Sequence, residues 1–135
     1  MPSHRANVLL IEDDEEVGLL LSAVLSEFGY QVRRAEDGME ALARISAQVP
    51  DIILCDLNLP KIPGPELLEM VRRNYPNILL IAMSGALSQG IPPGVTADAF
   101  YEKGKAPGSL LQILAAMTPR PPATQSAADD SKIAS

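Results

Sequence analysis

Short, nearly pure apolar runs punctuate the chain: Asn7 to Ile11 (NVLLI), Ile52 to Cys55 (IILC), Ile78 to Met83 (ILLIAM) and, more briefly, Ala99 to Tyr101. Apolar continuity over four to six residues, without polar alternation, predicts strands covered on both faces. A weaker strand is expected from Tyr30 to Ala35. Between the runs the period changes. Val17, Leu20, Leu21, Val24, Leu25 and Phe28 recur at offsets of 3, 4, 7, 8 and 11. That spacing predicts a one-faced amphipathic helix, closed by Gly29. Ala41, Leu42 and Ile45 mark a second helix after the turn Glu36-Asp37-Gly38, and Pro50 ends that unit. Leu67, Leu68 and Val71 mark a third, near Pro65 to Tyr75, stopped by Pro76. Leu110, Ile113, Leu114 and Met117 mark the last. Where a further helix is due, between Ser84 and Ala99, the chain has Gly90, Pro92, Pro93 and Gly94. These break helices, so that element is expected to be short or degenerate.

Strands alternating with helices predict an α/β domain built of βαβ units: a five-stranded parallel sheet with right-handed crossovers and helices on both faces. From Thr118 onward the periodicity stops, and Pro, Ala, Ser and Thr dominate. The expected organisation is one folded domain over 1–117 and a disordered tail over 118–135.

Composition narrows the function. With 135 residues, 47% of them hydrophobic and 21% charged, the chain suits a single globular core. Eleven Lys plus Arg against 17 Asp plus Glu leave a net charge of −6. Nucleic acid is therefore not an expected partner, because phosphate-backbone binding needs a clustered basic footprint. A lone cysteine, Cys55, excludes an internal disulfide and a cysteine-based zinc cluster, and reads as a small buried hydrophobe. No apolar run reaches the roughly 18 residues of a membrane span, and Met1 to Asn7 is too short and polar for a signal peptide. The expectation is a cytoplasmic protein with no membrane partner.

In open parallel sheets, ligands bind beyond the carboxyl ends of the strands. The predicted strands end in Glu12-Asp13, Asp56, Ser84 and Lys103. Three carboxylates crowded together repel one another unless a cation intervenes, and hard oxygen donors suit Mg²⁺. With a cation and an ammonium to neutralise phosphoryl oxygens, one carboxylate can act as a nucleophile toward phosphorus. Asp56, on the middle run, is the candidate.

These motifs resemble the receiver domains of bacterial two-component response regulators. The likeness covers roughly Asn7 to Met117 and rests on LLIEDD, IILCDLNLP with Gly64 after it, IAMSGA and AFYEK. The 43 residues from Asp13 to Asp56 match the family's usual interval. The resemblance implies a flavodoxin-like three-layer fold with strand order 2-1-3-4-5, which periodicity alone does not choose. It implies that Asp56 is the phosphoacceptor and that Glu12, Asp13, Asp56 and the backbone carbonyl of Asn58 hold Mg²⁺. Ser84 matches the hydroxyl that bonds a phosphoryl oxygen, Lys103 the invariant lysine, and Phe100 the aromatic switch position. Phosphorylation would add charge and acceptor oxygens, draw Ser84 and Lys103 inward, and let Phe100 turn. The implied partners are a histidine kinase or histidine phosphotransfer protein as donor and a downstream protein target. The implied activity is signalling, with no catalysis beyond the domain's own phosphorylation and dephosphorylation. Only 18 residues follow the last expected helix, so the expectation is a receiver that acts alone or one cut from a longer chain.

Two departures stand out. Gly104 follows Lys103 where the family usually has proline, and Lys103 comes only 19 positions after Ser84. Ala86 cannot hydrogen-bond an attacking water, whereas Asn58 can help orient one. Gly104 and the broken fourth helix motivate an alternative, a degenerate receiver that binds its partner without phosphorylation. A phosphatase of the haloacid dehalogenase type would want an acid at Asn58. An FMN phosphate after the first strand would meet Glu12 to Glu16.

Overall fold

The computed structural model describes residues 6–85 and 93–117. Five strands, β1 (Asn7–Ile11), β2 (Gln31–Ala35), β3 (Ile52–Asp56), β4 (Leu79–Ser84) and β5 (Ala99–Glu102), alternate with four helices. The helices are α1 (Glu15–Glu27), α2 (Gly38–Ala47), α3 (Gly64–Asn74) and α4 (Pro107–Met117). Every strand pair is parallel, in the order β2-β1-β3-β4-β5. This is the flavodoxin-like order. It puts β3 at the centre with β1 and β4 beside it, so the carboxyl end of β3 is flanked by two other strand ends.

Period-two alternation within the apolar runs divides the core into two layers. Leu9, Ile11, Ile53, Cys55, Leu80 and Ala82 face α2 and α3, meeting Ala41, Ile45, Leu67, Leu68 and Val71. Val8, Leu10, Ile52, Leu54, Ile81 and Met83 face α1 and α4, meeting Leu21, Leu25, Leu110 and Leu114. Cys55 is buried among them as expected.

Local chemistry sets the helix ends. Asp14 caps α1 by accepting from the Val17 N–H at 3.2 Å, and Asp37 caps α2 by accepting from the Glu40 N–H at 2.8 Å. Gly29, at φ 95°, supplies the left-handed residue after α1.

The buried stripe of α1 is narrower than its apolar stripe. Gly18, Leu21 and Leu25 are buried, but Leu20 and Phe28, expected on the covered face, are 54% and 50% exposed. The sheet and α4 together cover only part of the helix circumference. Among the described residues no helix lies between β4 and β5. Residues 93–98 turn at Gly94 (φ 80°) and lay Val95 and Ala97 against the first core layer. The remainder of the expected degenerate helix, including Ala86, and the tail over 118–135 lie outside the described residues. Also among the described residues, no helix is long and apolar enough to cross a membrane.

Candidate functional site

Three loops meet at the carboxyl edge of the sheet. Glu12 directly follows β1, and its N–H donates to the Ala35 carbonyl at 3.0 Å, continuing the ladder one residue past the strand. Its side chain is therefore aimed along the sheet edge and is fully buried. Asp56 is the last residue of β3 and is 4% exposed. Lys103 follows β5, where its N–H donates to the Ser84 carbonyl at 2.9 Å and ties that turn to the end of β4.

The Lys103 ammonium bridges the two buried acids. Nζ lies 3.0 Å from Asp56 Oδ2, 2.9 Å from Glu12 Oε1 and 3.2 Å from Glu12 Oε2. The expected inward movement of this lysine on phosphorylation therefore starts from contact already made. The remaining acceptor positions are partly filled by backbone. The Asp14 N–H donates to Glu12 Oε2, and the Asn58 N–H donates to Asp56 Oδ1, both at 3.0 Å. Oε1 of Glu12 lies 2.9 Å from the ammonium but accepts no hydrogen bond among the described residues. A fully buried carboxylate oxygen is thus met by the lysine as an ion pair and not as a hydrogen bond.

Burial raises the Glu12 carboxyl above its ordinary range, against the hydrogen bonds from Lys103 and from the Asp14 N–H. For Lys103, burial lowers the ammonium, but the hydrogen bonds to Glu12 and Asp56 outweigh it and hold the group above its usual value. Lys103 is therefore a fixed cation. One ammonium still leaves three carboxylates undercompensated: Glu12, Asp13 and Asp56 offer oxygens that lie within 4.8 Å of one another, with Asp13 exposed to solvent. Oxygen donors alone, an open side at Asp13 and a Glu12 oxygen that accepts no hydrogen bond among the described residues fit a hard divalent cation such as Mg²⁺.

The loop after β3 is held by close packing. Gly64 opens α3 directly against the Asp56 carbonyl, with Leu57 Cα 2.6 Å from where a β-carbon would stand. Lys61 adopts φ 71° and pairs with Asp37 at 3.2 Å, and Ile62 lies over Gly38 at the start of α2. Asn58 is exposed in this loop. Ser84 ends β4 at intermediate exposure, and Phe100 on β5 is half-buried against the first core layer. The sequence-predicted residues Glu12, Asp13, Asp56, Asn58, Ser84 and Lys103 thus share one edge, while Phe100 sits one strand-length behind it.

Two contributors escape a reading by residue type. The N–H of Asn58 orients Asp56, a contact that the Asp-x-Asn spacing of an Asx turn could have signalled. The close approach of Gly64 carries no local signal beyond the glycine itself.

Comparison with known proteins bears on this arrangement. The family model of the response regulator receiver domain matches residues 8–100. The sensor kinase CckA of Brucella abortus is 34% identical over 114 residues, covering 82% of this chain and 12% of that protein. The alkaline phosphatase synthesis transcriptional regulatory protein PhoP of Bacillus subtilis is 31% identical, covering 74% of this chain and 43% of its own length. The chain therefore spans less than half of either relative. Chemotaxis protein CheY4 of Vibrio cholerae superposes with a TM-score of 0.76 at 28% identity, covering 84% of this chain and 98% of that one.

Proposed function

The chain belongs to the response regulator receiver domain family of two-component signalling, and from that premise we propose that it accepts a phosphoryl group on Asp56 and thereby alters a protein-binding surface. The observation that carries this reading is the double engagement of the Lys103 ammonium with buried Asp56 and Glu12, beside an acid group able to hold a cation.

The donor is a phosphohistidine on a histidine kinase or phosphotransfer protein. A carboxylate oxygen of Asp56 bonds to phosphorus as the phosphorus–nitrogen bond breaks, and the imidazole nitrogen keeps the electron pair and takes a proton. The product is an acyl phosphate. The Asn58 N–H at Oδ1 fixes the rotation of the carboxylate, and near-complete burial of Asp56 limits competing water. Lys103 is placed to pair with a phosphoryl oxygen without leaving the site. Glu12, Asp13, Asp56 and the Asn58 carbonyl would hold Mg²⁺, which when bound neutralises charge on the phosphoryl oxygens.

Phosphorylation adds about −1.5 to −2 charge and three acceptor oxygens. Ser84 ends the strand next to β3 with a hydroxyl, and its carbonyl already holds the Lys103 N–H. Any shift of either residue toward the phosphoryl group is passed along β5 to Phe100, three residues before the lysine. The altered surface is that at the carboxyl ends of β4 and β5, where a downstream protein binds in the cytoplasm.

The test is incubation with a small-molecule phosphodonor and Mg²⁺, followed by intact mass, beside Asp56→Asn. Gain of one phosphoryl group that needs Mg²⁺ and is lost in the variant is the expected result. A folded wild-type chain that stays unmodified would overturn it in favour of a receiver that binds its partner without phosphorylation.

A further inference from the structure

The acids share their sheet edge with the start of α2. There, at the carboxyl end of β2, Asp37 and Gly38 meet Lys61 and Ile62 of the loop that follows Asp56. That loop makes an uncommon turn. The Ile62 N–H donates to the Pro60 carbonyl at 2.8 Å, and Lys61 between them stands at φ 71°. A three-residue bond about a central φ near +75° is the rare, strained form of γ-turn. Such a conformation persists only where its surroundings impose it. Backbone bonding offers little here, because Pro60 and Pro63 carry no N–H. Leu57 and Leu59 seat the first part of the loop on the core, but both precede the turn.

The start of α2 grips the turn at two points. Asp37 divides its carboxylate: Oδ1 accepts the Glu40 N–H at 2.8 Å and caps the helix, while Oδ2 pairs with Lys61 Nζ at 3.2 Å. Ile62 rests on Gly38, with its Cβ 2.6 Å from where a β-carbon of residue 38 would stand. Gly38 is buried at the first position of α2 and lies outside the left-handed region. Alanine would form that helix better, so the missing side chain serves Ile62 and not the helix.

One residue, Leu59, separates the turn from Asn58, whose N–H orients Asp56 at 3.0 Å. We propose that Asp37 and Gly38 are positioning residues for phosphoryl transfer: they hold the turn at Lys61, and the turn sets the place of the Asn58 backbone against Asp56. The proposal rests on the reading of Asp56 as phosphoacceptor. The Asn58 carbonyl, assigned above to the cation, moves with the same backbone.

Gly38→Ala, Lys61→Met and Lys61→Arg in the full chain test this. The position of the loop is read without metal or phosphate, from the chemical shift and hydrogen exchange of the Asn58 amide by NMR. The chemistry is read as the rate of phosphorylation by a small-molecule donor at saturating Mg²⁺. Gly38→Ala should displace the Asn58 signal, speed its exchange and slow phosphorylation about tenfold, with the helical circular dichroism retained. Lys61→Met should displace the same signal less and slow the reaction about two- to fivefold, as suits a pair whose lysine is 62% exposed. Lys61→Arg should restore both readouts. A purely structural role would lower stability and leave the Asn58 amide where it is. Folded Gly38→Ala and Lys61→Met proteins with a wild-type Asn58 signal and rate would overturn the proposal. So would equal effects of Lys61→Met and Lys61→Arg, a comparison that decides alone if Gly38→Ala does not fold. A wild-type chain that takes no phosphoryl group would instead overturn the acceptor reading, and the Asn58 amide would still show whether α2 places the loop.

Discussion

Replacing Gly64 by alanine isolates one backbone approach and asks how far the phosphoacceptor depends on it. The added methyl group would meet the Asp56 carbonyl oxygen, Leu57 Cα at 2.6 Å and the Leu57 carbonyl carbon at 2.9 Å. Ordinary contact begins near 3.4 Å, so the loop or the start of α3 must give by most of an ångström. Every atom in the way is backbone, and no side chain can swing aside. Gly64 does not lie in the left-handed region, so the cost is steric overlap alone, about 1–3 kcal/mol for forced overpacking. The displacement falls on Asp56 and Leu57, next to the 3.0 Å bond from the Asn58 N–H that orients the carboxylate. Misplacement on this scale costs a reacting group about ten- to a hundredfold in rate. The assay is the rate of Asp56 phosphorylation by a small-molecule donor, measured where urea titration shows both proteins fully folded. Wild-type stability and a wild-type rate together would refute the reasoning, as they would mean that the loop yields without cost.

Lys103→Met removes the ammonium that pairs with buried Glu12 and Asp56. It should destabilise the fold by about 2–4 kcal/mol, the usual cost of orphaning a buried charge reduced for the partial exposure of the ammonium. Urea unfolding checks this, and a loss under about 1 kcal/mol would contradict the geometry. Mg²⁺ should raise stability with concentration, by about 2.7 kcal/mol at a hundred times its dissociation constant. A chelator should reverse that gain, Asp13→Asn should weaken it, and thermal melts with and without the ion measure both. At low pH, Asp37 is held below its ordinary value of 3.8 chiefly by the Glu40 N–H, and Glu40 below 4.5 chiefly by the Glu36 N–H. The stability these contacts contribute is present above those ordinary values and fades as pH falls through the lower folded ones. Asp37→Asn should therefore flatten the acid limb of a stability profile, and an unchanged limb would show that the cap is not coupled to folding.

The strands were legible because a parallel sheet covered on both faces needs apolar residues at consecutive positions, and β1, β3 and β4 have them. Their neighbours were not, since apolar runs of equal quality carry no pairing information, and the order came from resemblance to a family. Asp56, Glu12 and Asp13 could be gathered by the rule that strand ends share an edge. That Glu12 would be fully buried, with Lys103 bridging it to Asp56 from 91 residues away, depends on tertiary closure that no local pattern records. Leu20 and Phe28 show the complementary limit. Helical periodicity identifies residues sharing a face, but whether a neighbour covers that face depends on the width of the sheet and the placement of α4.

The ammonium at the centre of the site comes from the turn after the last strand, whereas the acids it neutralises come from the first and third. A chain emerging from the ribosome presents Glu12, Asp13 and Asp56 well before Lys103 exists to join them. Until β5 docks beside β4, those carboxylates lack the Lys103 ammonium and repel one another. Competence for aspartyl chemistry therefore arrives late in synthesis. A chain truncated before Lys103 would carry the acceptor without its counter-charge, so the ion pair also reports that the polypeptide has been completed through its fifth strand.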